Sequence, residues 1–219
     1  MATIHSPSIV TDSLALCLDP YNLKSYPGSG TTLFDLSGGA RHGTLQNGVS
    51  VSGGMAVIGG GDDFIQTTNV GITHGADNFT YNLWMRWTSL TDGQGIFENG
   101  SYNAGMLCRW DTNALGIWTG VHLSHISFIP VINTWYMLTF ARIGTLLNLY
   151  IDGTFYGSYA IGSNVVAPNT ALLFLGGCQH RSDQGFIGNV GQCTVYTKGL
   201  SAEEIKRNYD NLKPRYSVT

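Results

Sequence analysis

Charge is scarce in this chain, and long apolar runs are absent. Of its 219 residues, only 11% are Asp, Glu, Lys or Arg, whereas about 25% is usual for a soluble domain. Its 11 basic and 14 acidic residues give a formal net charge of −3, so we expect no nucleic-acid partner and no attraction to anionic lipid. No apolar run approaches the ~18 residues of a membrane helix, so no membrane insertion is expected, and the start does not resemble a signal peptide.

Cysteine is also sparse, and its spacing argues against zinc. Cys17, Cys108, Cys178 and Cys193 form no C-x-x-C pair, whereas zinc sites usually contain such close pairs. Without a signal peptide, the four residues are expected to be reduced thiols that pack as small apolar side chains. A disulfide between Cys17, in the first predicted strand, and Cys193, in the last, is the alternative.

The sequence is rich in β-strand patterns. The segment 79–87 places five large apolar side chains on one face, namely Phe79, Tyr81, Leu83, Met85 and Trp87. Trp84 is the exception on the other face. Gly144-Thr145 and Asp152-Gly153 separate the strands predicted at 135–143, 146–151 and 154–160, and they predict two successive hairpins. Nine shorter strands are predicted at 14–18, 55–58, 63–67, 95–98, 106–109, 114–118, 122–128, 171–176 and 186–196.

One helix is predicted, near the end of the chain. Ser201 to Glu204 form a capping box, and Ile205, Tyr209 and Leu212 then recur at helical spacing until Pro214, which we expect to end the helix. The Gly/Ser/Thr-rich segment 26–52 is interpreted as long loops. The pattern predicts one domain at 14–212, between an N-terminal arm at 1–13 and a C-terminal tail at 213–219.

Three segments resemble the concanavalin A-like jelly roll, in its laminin-G-like branch. Residues 14–22 are similar to the opening of family members found in bacteriophage structural proteins. Trp135, with Leu149-Tyr-Ile-Asp-Gly153, resembles a hairpin of the family, and 186–205 resembles its closing strand and capped helix. The resemblance implies an all-β fold, a two-sheet antiparallel jelly-roll sandwich with one short C-terminal helix. It does not decide the function, because this fold hosts lectins, glycosidases, adhesion modules and scaffolding proteins.

Glycoside hydrolysis is the least favoured of these functions. It needs two carboxylates about 5–10 Å apart, and enzymes of this fold commonly carry them on one strand as Glu-x-Asp-x-x-Glu. The chain has three glutamates: Glu203 and Glu204 lie in the capping box, and Glu98 is followed by Asn-Gly-Ser. No catalytic residue is therefore predicted, and we expect a protein that is not an enzyme.

The resemblance makes calcium the one plausible cofactor, held by oxygen atoms of rim loops. Asp62 and Asp63, which follow three glycines, are the candidate metal ligands. The alternative is that these carboxylates cap their own turns through hydrogen bonds to backbone N–H groups.

Two segments have the composition of a sugar site, which combines an exposed aromatic ring with planar hydrogen-bonding groups. The candidate ligand-binding residues of the first segment are Tyr102, Asn103, Arg109, Trp110, Asp111 and Asn113. Those of the second are His180, Arg181, Asp183 and Gln184. The alternative is that Trp110 belongs to the core and that the second segment is a solvated loop.

The N-terminal arm is predicted to make assembly contacts. Ile4, Ile9 and Val10 are apolar without strand-like alternation, and Pro7 lacks the N–H group that a central strand needs. We therefore expect residues 1–12 to pack on another copy or another protein rather than on the core of their own chain. Lys206 and Arg207 of the predicted helix are the expected contact for an acidic neighbour.

These features together predict a non-enzymatic virion structural protein, such as a phage capsid decoration, fibre or tail component. It would assemble with itself and with other virion proteins, bind a host surface glycan, and be located in the virion after synthesis in the host cytoplasm. The alternative is a stand-alone carbohydrate-binding lectin.

Overall fold

A computed structural model describes residues 8–101, 104–119, 122–161, 172–178 and 184–217. Its elements are β1 (Leu14–Leu18), β2 (Thr32–Leu33), β3 (Gly43–Gln46), β4 (Ser50–Ser52), β5 (Met55–Gly59), β6 (Phe64–Thr67), β7 (Phe79–Trp87), β8 (Gln94–Ser101), β9 (Ala104–Asp111), β10 (Ala114–Thr119), β11 (His122–Ser127), β12 (Trp135–Ile143), β13 (Leu146–Ile151), β14 (Thr154–Ala160), β15 (Leu173–Leu175), β16 (Ile187–Tyr196) and α1 (Ala202–Tyr216). Within these described ranges, no helix has the length and apolar character needed to cross a membrane.

The strands form two antiparallel sheets of eight strands each. In the helix-side sheet, on which α1 packs, the order is β14-β13-β12-β7-β16-β5-β4, and β1 pairs with β16. In the open-side sheet the order is β11-β10-β9-β8-β15-β6-β3-β2. One edge of β16 changes partner along its length, because β5 pairs with 187–190 and β1 pairs with 193–196. The predicted two-sheet jelly-roll sandwich is confirmed.

The core lies between the sheets and follows the predicted alternation. The five apolar side chains of β7 that share one face are fully buried in it: Phe79, Tyr81, Leu83, Met85 and Trp87. Partners from the open-side sheet include Phe97 of β8, whose ring stacks on Tyr81 at 4.9 Å between centroids. Burial of these side chains favours closing of the sandwich, at about 25 cal/mol per Å² of apolar surface.

Trp84, the exception to this alternation, belongs to a second apolar cluster beneath α1. Its ring stacks on Tyr209 at 5.6 Å and on Tyr216 at 4.2 Å between centroids. Other members of the cluster come from β12, β13, β16, the helix itself and the loop before it, namely Met137, Ala141, Tyr150, Tyr196, Leu200, Ile205 and Leu212. The outer face of β7 is therefore apolar at Trp84 because the helix covers it.

The helix begins as predicted but ends later. The Ser201 side chain accepts a hydrogen bond from the Glu204 N–H group, and the Glu204 carboxylate accepts one from the Ser201 N–H group. The prediction that Pro214 ends the helix is wrong, because the last turn continues to Tyr216. Burial of Tyr216 holds this turn in place, so the segment from 213 to 216 is part of the packed structure rather than a tail.

The described part of the N-terminal arm packs on its own chain. Val10 is 5% exposed and lies in the cluster beneath α1. Its N–H group donates to Asn208 Oδ1 at 2.8 Å, and its carbonyl accepts from the Tyr196 hydroxyl at 2.9 Å. Ile9 is partly buried against the same cluster. The prediction that this arm does not pack on the core of its own chain is therefore wrong for residues 8–12. The helix supplies the hydrogen-bonding partners that a neighbouring strand would otherwise provide. Ile4 lies outside the described residues.

Lys206 and Arg207 are the two helix residues predicted to make assembly contacts. Both contact residues of their own chain, but not equally. The Arg207 side chain donates to the Ser8 carbonyl at 3.2 Å and to the Ser8 hydroxyl at 2.6 Å. Lys206 is exposed and contacts the carboxylate of Asp210, one turn along the helix. An exposed pair of this kind contributes at most about 1 kcal/mol, so Lys206 remains available to a partner.

The segment interpreted as long loops contains three short strands, β2, β3 and β4. They have only two to four residues each, which is too few to show a clear alternation. Leu33 of β2 and Leu45 of β3 are nevertheless buried in the core between the sheets. The loop interpretation of 26–52 is therefore wrong at these three places.

All four cysteines are buried, and none of them forms a disulfide. Cys193 lies opposite Leu18, and Cys17 lies opposite Thr194 in the pairing of β1 with β16. Leu18 and Cys193 face the core, and adjacent residues of a strand point to opposite faces. Cys17 and Cys193 therefore lie on opposite faces of the helix-side sheet, which excludes the disulfide.

Candidate functional site

Arg109 of β9 is the centre of a polar cluster on the outer face of the open-side sheet. Its Nε donates to Asp111 Oδ2 at 2.7 Å, and its Nη1 donates to Gln184 Oε1 at 2.6 Å. The guanidinium carbon lies 5.0 Å from the centroid of the Trp118 ring. Three of the predicted ligand-binding residues, from two separate segments of the chain, therefore meet at one place.

Strand alternation explains why these side chains share the outer face. Met106, Cys108 and Trp110 of β9 point into the core. Arg109, which lies between the last two, and Asp111, which follows Trp110, therefore point outward. On β10, Leu115 and Ile117 point inward, and Trp118 points outward. The pairing of β9 with β10 places Gly116 opposite Arg109, beside the Trp118 ring.

Gly116 makes room for the Trp118 ring. A Cβ atom at this position would lie 2.7 Å from two carbon atoms of that ring, closer than carbon atoms approach in proteins. The Trp118 ring therefore lies across the strand at Gly116, half-buried and within reach of the Arg109 guanidinium. This arrangement fixes an aromatic surface next to a set of planar polar groups.

Trp110 is a core residue, as the alternative proposed. It is 3% exposed, and its Nε1 donates to the Phe128 carbonyl at 3.1 Å. The aromatic ring at the site is Trp118, which is not among the predicted ligand-binding residues. Strand alternation could have indicated it. The side chains at 115 and 117 point inward, so the next side chain, Trp118, points outward.

The remaining sugar-site candidates divide into two groups. Asn113 has a backbone φ of 70° in the turn between β9 and β10, and its carbonyl accepts from the Phe128 N–H group at 3.1 Å. Its observed role is thus to form the turn. Five candidates lie outside the described residues, namely Tyr102, Asn103, His180, Arg181 and Asp183.

Asp63 uses its carboxylate to join two turns. Its Oδ1 accepts from the Gly48 N–H group at 2.6 Å, and its Oδ2 accepts from the Gly59 N–H group at 3.0 Å. The carbonyl of Asp62 accepts a hydrogen bond from the Asn47 side chain. Within the described ranges, no group of three or more His, Cys, Asp or Glu residues is arranged to hold a metal ion. The contacts of Asp63 are those of the turn-capping alternative.

The carboxylates that could act in a hydrolase are ion-paired, cap the helix or are buried on a strand. Asp111 is ion-paired with Arg109, and its side chain is 15% exposed. Glu204 caps the helix and also contacts Lys198 at 2.8 Å. Glu98 is buried on β8, opposite Leu107 of β9 and Phe174 of β15.

Comparison with known proteins assigns the family. The sequence profile of the laminin-G-type group of the concanavalin A-like lectin/glucanases superfamily matches residues 59–206. The chain belongs to this superfamily. Among curated protein sequences, none matches the chain.

Solved structures with the same sandwich include binding domains of botulinum neurotoxins. The binding domain of botulinum neurotoxin DC in complex with SialylT has a TM-score of 0.68 and 17% identity over 92% of this chain. The receptor binding domain of botulinum neurotoxin D has a TM-score of 0.71 and 16% identity over 91% of this chain. These matches cover 52% and 53% of the toxin domains, so this superfamily member spans about half their length. At such low identity they show the fold alone.

Proposed function

We propose that this superfamily member is a carbohydrate-binding module without catalytic activity. The proposed site is the outer face of the open-side sheet at Arg109, Asp111, Gln184 and Trp118. The observation that carries the proposal is the Arg109 guanidinium, which joins Asp111 and Gln184 beside the Trp118 ring. Sugar recognition uses such a combination, because hydroxyl groups need planar donors and acceptors while the C–H face of a pyranose packs on an aromatic ring.

The charges of the site favour a neutral sugar. Arg109 and Asp111 form an ion pair with N···O 2.7 Å, so their charges compensate each other. The pair still offers donors on the guanidinium and acceptor sites on the carboxylate, and the Gln184 amide adds one more donor group. Because both side chains of the pair are less than one-fifth exposed, their geometry is fixed before a ligand arrives, which lowers the entropic cost of binding.

The structural relatives support a binding function by analogy. The binding domain of botulinum neurotoxin DC was solved in complex with SialylT and, separately, in complex with rat synaptotagmin II. A sandwich of this shape is therefore found in a domain that binds other molecules. This support is fold-level analogy, and the proposal itself depends on the Arg109 cluster.

The test begins with a glycan array, repeated with and without calcium, followed by calorimetry with the best neutral hit. We expect Arg109→Gln and Trp118→Leu each to weaken binding about tenfold, which corresponds to about 1.4 kcal/mol. Gly116→Ala keeps every polar group but displaces the Trp118 ring, and it should weaken binding as well. Lys206→Ala, which removes one exposed positive charge of α1 on the opposite side of the sandwich, is the control and should bind normally.

Three results would contradict the proposal. An array without a hit in either condition argues against a sugar ligand. Unchanged affinity in a folded Arg109→Gln variant would remove the site from the outer face of the open-side sheet. Cleavage of the bound glycan would show that the module is catalytic.

A virion structural role is a second candidate, which the bacteriophage-like opening at residues 14–22 favours. In that role the module would assemble with itself and other virion proteins and would present the sugar site to the host surface. Detection of this polypeptide in purified particles is the deciding measurement, and particles that lack it would exclude the role.

A further inference from the structure

A second pocket lies on the opposite face of the molecule, where α1 ends on the helix-side sheet. It has a volume of about 150 Å³, and its lining includes Tyr21, Met55, Arg86, Trp135, Arg215 and Tyr216. A shallower pocket of about 290 Å³ adjoins it and shares Tyr21, Gly53 and Gly54. The two together have the size of a small-ligand site, for which 300–1,000 Å³ is typical.

The smaller pocket is built on a row of three residues across the sheet. Arg86 of β7 lies between Trp135 of β12 and Asn189 of β16 in the strand pairing. Its Nε and Nη2 donate to Asn189 Oδ1 at 3.0 and 2.8 Å, and its guanidinium carbon lies 5.4 Å from the Trp135 ring centroid. Nη2 also donates to Met55 Sδ at 3.8 Å. The guanidinium is therefore held by Asn189, Met55 and the Trp135 ring, and its Nη1 donates to no residue that the structure describes.

Arg86 also lacks a compensating charge. The other cation of the lining, Arg215, contacts Asp19 at 2.7 Å. The Asp19 carboxylate accepts further hydrogen bonds from Gln192 Nε2 at 3.1 Å and from the Tyr21 N–H group at 3.2 Å. Arg86 has no carboxylate within ion-pair distance among residues 8–101, 104–119, 122–161, 172–178 and 184–217. Lys213 and Arg215 in the last turn of α1 oppose the partial negative charge of the helix end.

Aromatic surface borders this positive charge. Tyr21 is 60% exposed, and its ring lies 5.6 Å from the guanidinium carbon of Arg215. The backbone of Gly54 lies so close to Tyr21 that a Cβ atom there would be 2.4 Å from the tyrosine ring. Since Gly54 also has a φ of +76°, glycine is required at this position. The hairpin between β4 and β5 therefore fixes Tyr21 at the pocket rim.

We propose that this pocket binds an acidic monosaccharide, with its carboxylate on the Nη1 group of Arg86 and its ring on Tyr21. A carboxylate accepts short, charge-assisted hydrogen bonds from a guanidinium. The C–H face of a pyranose ring then packs on the exposed tyrosine. The proposal adds a second, charge-selective site to the proposed sugar-binding function, and it does not depend on Arg109.

The test compares methyl β-D-glucuronoside with methyl β-D-glucoside, which differ in the carboxylate, by calorimetry on the full chain. We expect wild-type protein to bind the glucuronoside at least tenfold more tightly. Arg86→Gln should reduce its affinity to that of the glucoside, and Arg86→Lys should lose part of the difference. Tyr21→Ala should weaken glucuronoside binding severalfold. The matched control is Lys206→Ala, which removes an exposed positive charge of α1 outside the pocket lining and should leave the preference for the acid unchanged.

Magnetic resonance provides a readout that does not require a variant. The indole N–H signal of Trp135 should shift on addition of the glucuronoside, and sodium acetate alone should bind at least tenfold more weakly. Equal affinity for the acid and neutral sugars, an unshifted Trp135 signal, or acetate that binds as tightly as the glucuronoside would each overturn the proposal. If Arg86→Gln does not fold, the exposed Tyr21→Ala variant and the Trp135 signal decide. If Arg109→Gln loses the binding of neutral sugars, that result tests only the site at Arg109 and not this pocket.

Discussion

Tyr216 stacks on Trp84 with ring centroids 4.2 Å apart and ring planes inclined by 17°. The Tyr216 hydroxyl also accepts a hydrogen bond from the Gln192 N–H group at 2.7 Å. Gln192 lies where one edge of β16 changes its partner from β5 to β1. The last turn of the helix thus packs on the sheet and satisfies a backbone donor that neither neighbouring strand reaches.

Removal of the Tyr216 ring is expected to destabilise the fold strongly. Tyr216→Ala creates a cavity beside Trp84 and leaves the Gln192 N–H group unpaired, which should lower the free energy of unfolding by about 3–5 kcal/mol. Tyr216→Phe removes only the hydroxyl and should cost about 1 kcal/mol. Urea unfolding measures both values, with the exposed Lys213→Ala as the control. If Tyr216→Ala costs no more than this control, the last turn does not pack as described.

The alternation in the sequence predicts the sandwich core but not what covers its outer faces. The five inward residues of β7 are predicted correctly because alternation depends only on the pleat of a strand. Trp84 is recognised as an exception, but its explanation depends on residues 209 and 216, more than 120 positions away. No local pattern carries that information, since the contact arises only when the helix returns to the sheet.

The candidate site was likewise predicted only in part from the sequence. Arg109 and Asp111 are predicted because their residue types suit sugar recognition, and the structure joins them with Gln184 from a distant segment. For Trp110 the sequence left two interpretations open, a sugar-binding ring or a core residue, and the structure shows the core residue. Arg86 was not selected, since its lack of a carboxylate partner becomes visible only when the neighbours across β12 and β16 are known.

Asn208 is expected to be critical for anchoring the N-terminal segment. Its side chain accepts from the Val10 N–H group at 2.8 Å and donates to the Tyr196 hydroxyl at 3.1 Å. Asn208→Ala leaves these buried groups with one partner fewer, so the free energy of unfolding should fall by about 2 kcal/mol. Asn211→Ala, one turn along the same helix, should cost about 0.5 kcal/mol or less. Urea unfolding compares the two variants.

Sedimentation velocity distinguishes this anchoring role from an assembly role. Because Val10 packs within its own chain, Asn208→Ala should lower stability without changing the oligomeric state. Unchanged stability together with a changed sedimentation coefficient would restore residues 8–12 as assembly contacts.

The thiols are expected to be unreactive in the folded protein. Burial, and secondarily the negative charges of Asp19 and Asp35, raise the pKa of Cys17 to about 12. Burial likewise raises the pKa values of Cys108 and Cys193. Since the thiolate is the reactive form, Ellman's reagent at pH 8 should label these residues only after unfolding. In urea without reductant, all four thiols should react. If only two react, a disulfide is present, which would contradict the strand register.

The last prediction concerns acid stability and His74. This side chain is fully buried, and its Nε2 lies 3.0 Å from the hydroxyl of Tyr81, which donates to Asn99 Oδ1. Burial, and secondarily the positive charge of Arg142, lower the pKa of His74 to about 3. The folded state therefore keeps the imidazole neutral, while the unfolded state takes up a proton below pH 6.5, the ordinary pKa of histidine.

Proton uptake by the unfolded state alone favours unfolding, so the His74 contribution to stability is lost as the pH falls from about 6.5 toward 3. Each pH unit in this window corresponds to about 1.36 kcal/mol, so the loss between pH 6.5 and pH 5 should be about 2 kcal/mol. His74→Gln retains a donor for Tyr81 but cannot titrate, and its free energy of unfolding should depend less steeply on pH over this range. His125→Gln, at an exposed position, should keep the wild-type slope. Parallel pH profiles for wild type and His74→Gln would show that the acid sensitivity arises at another group.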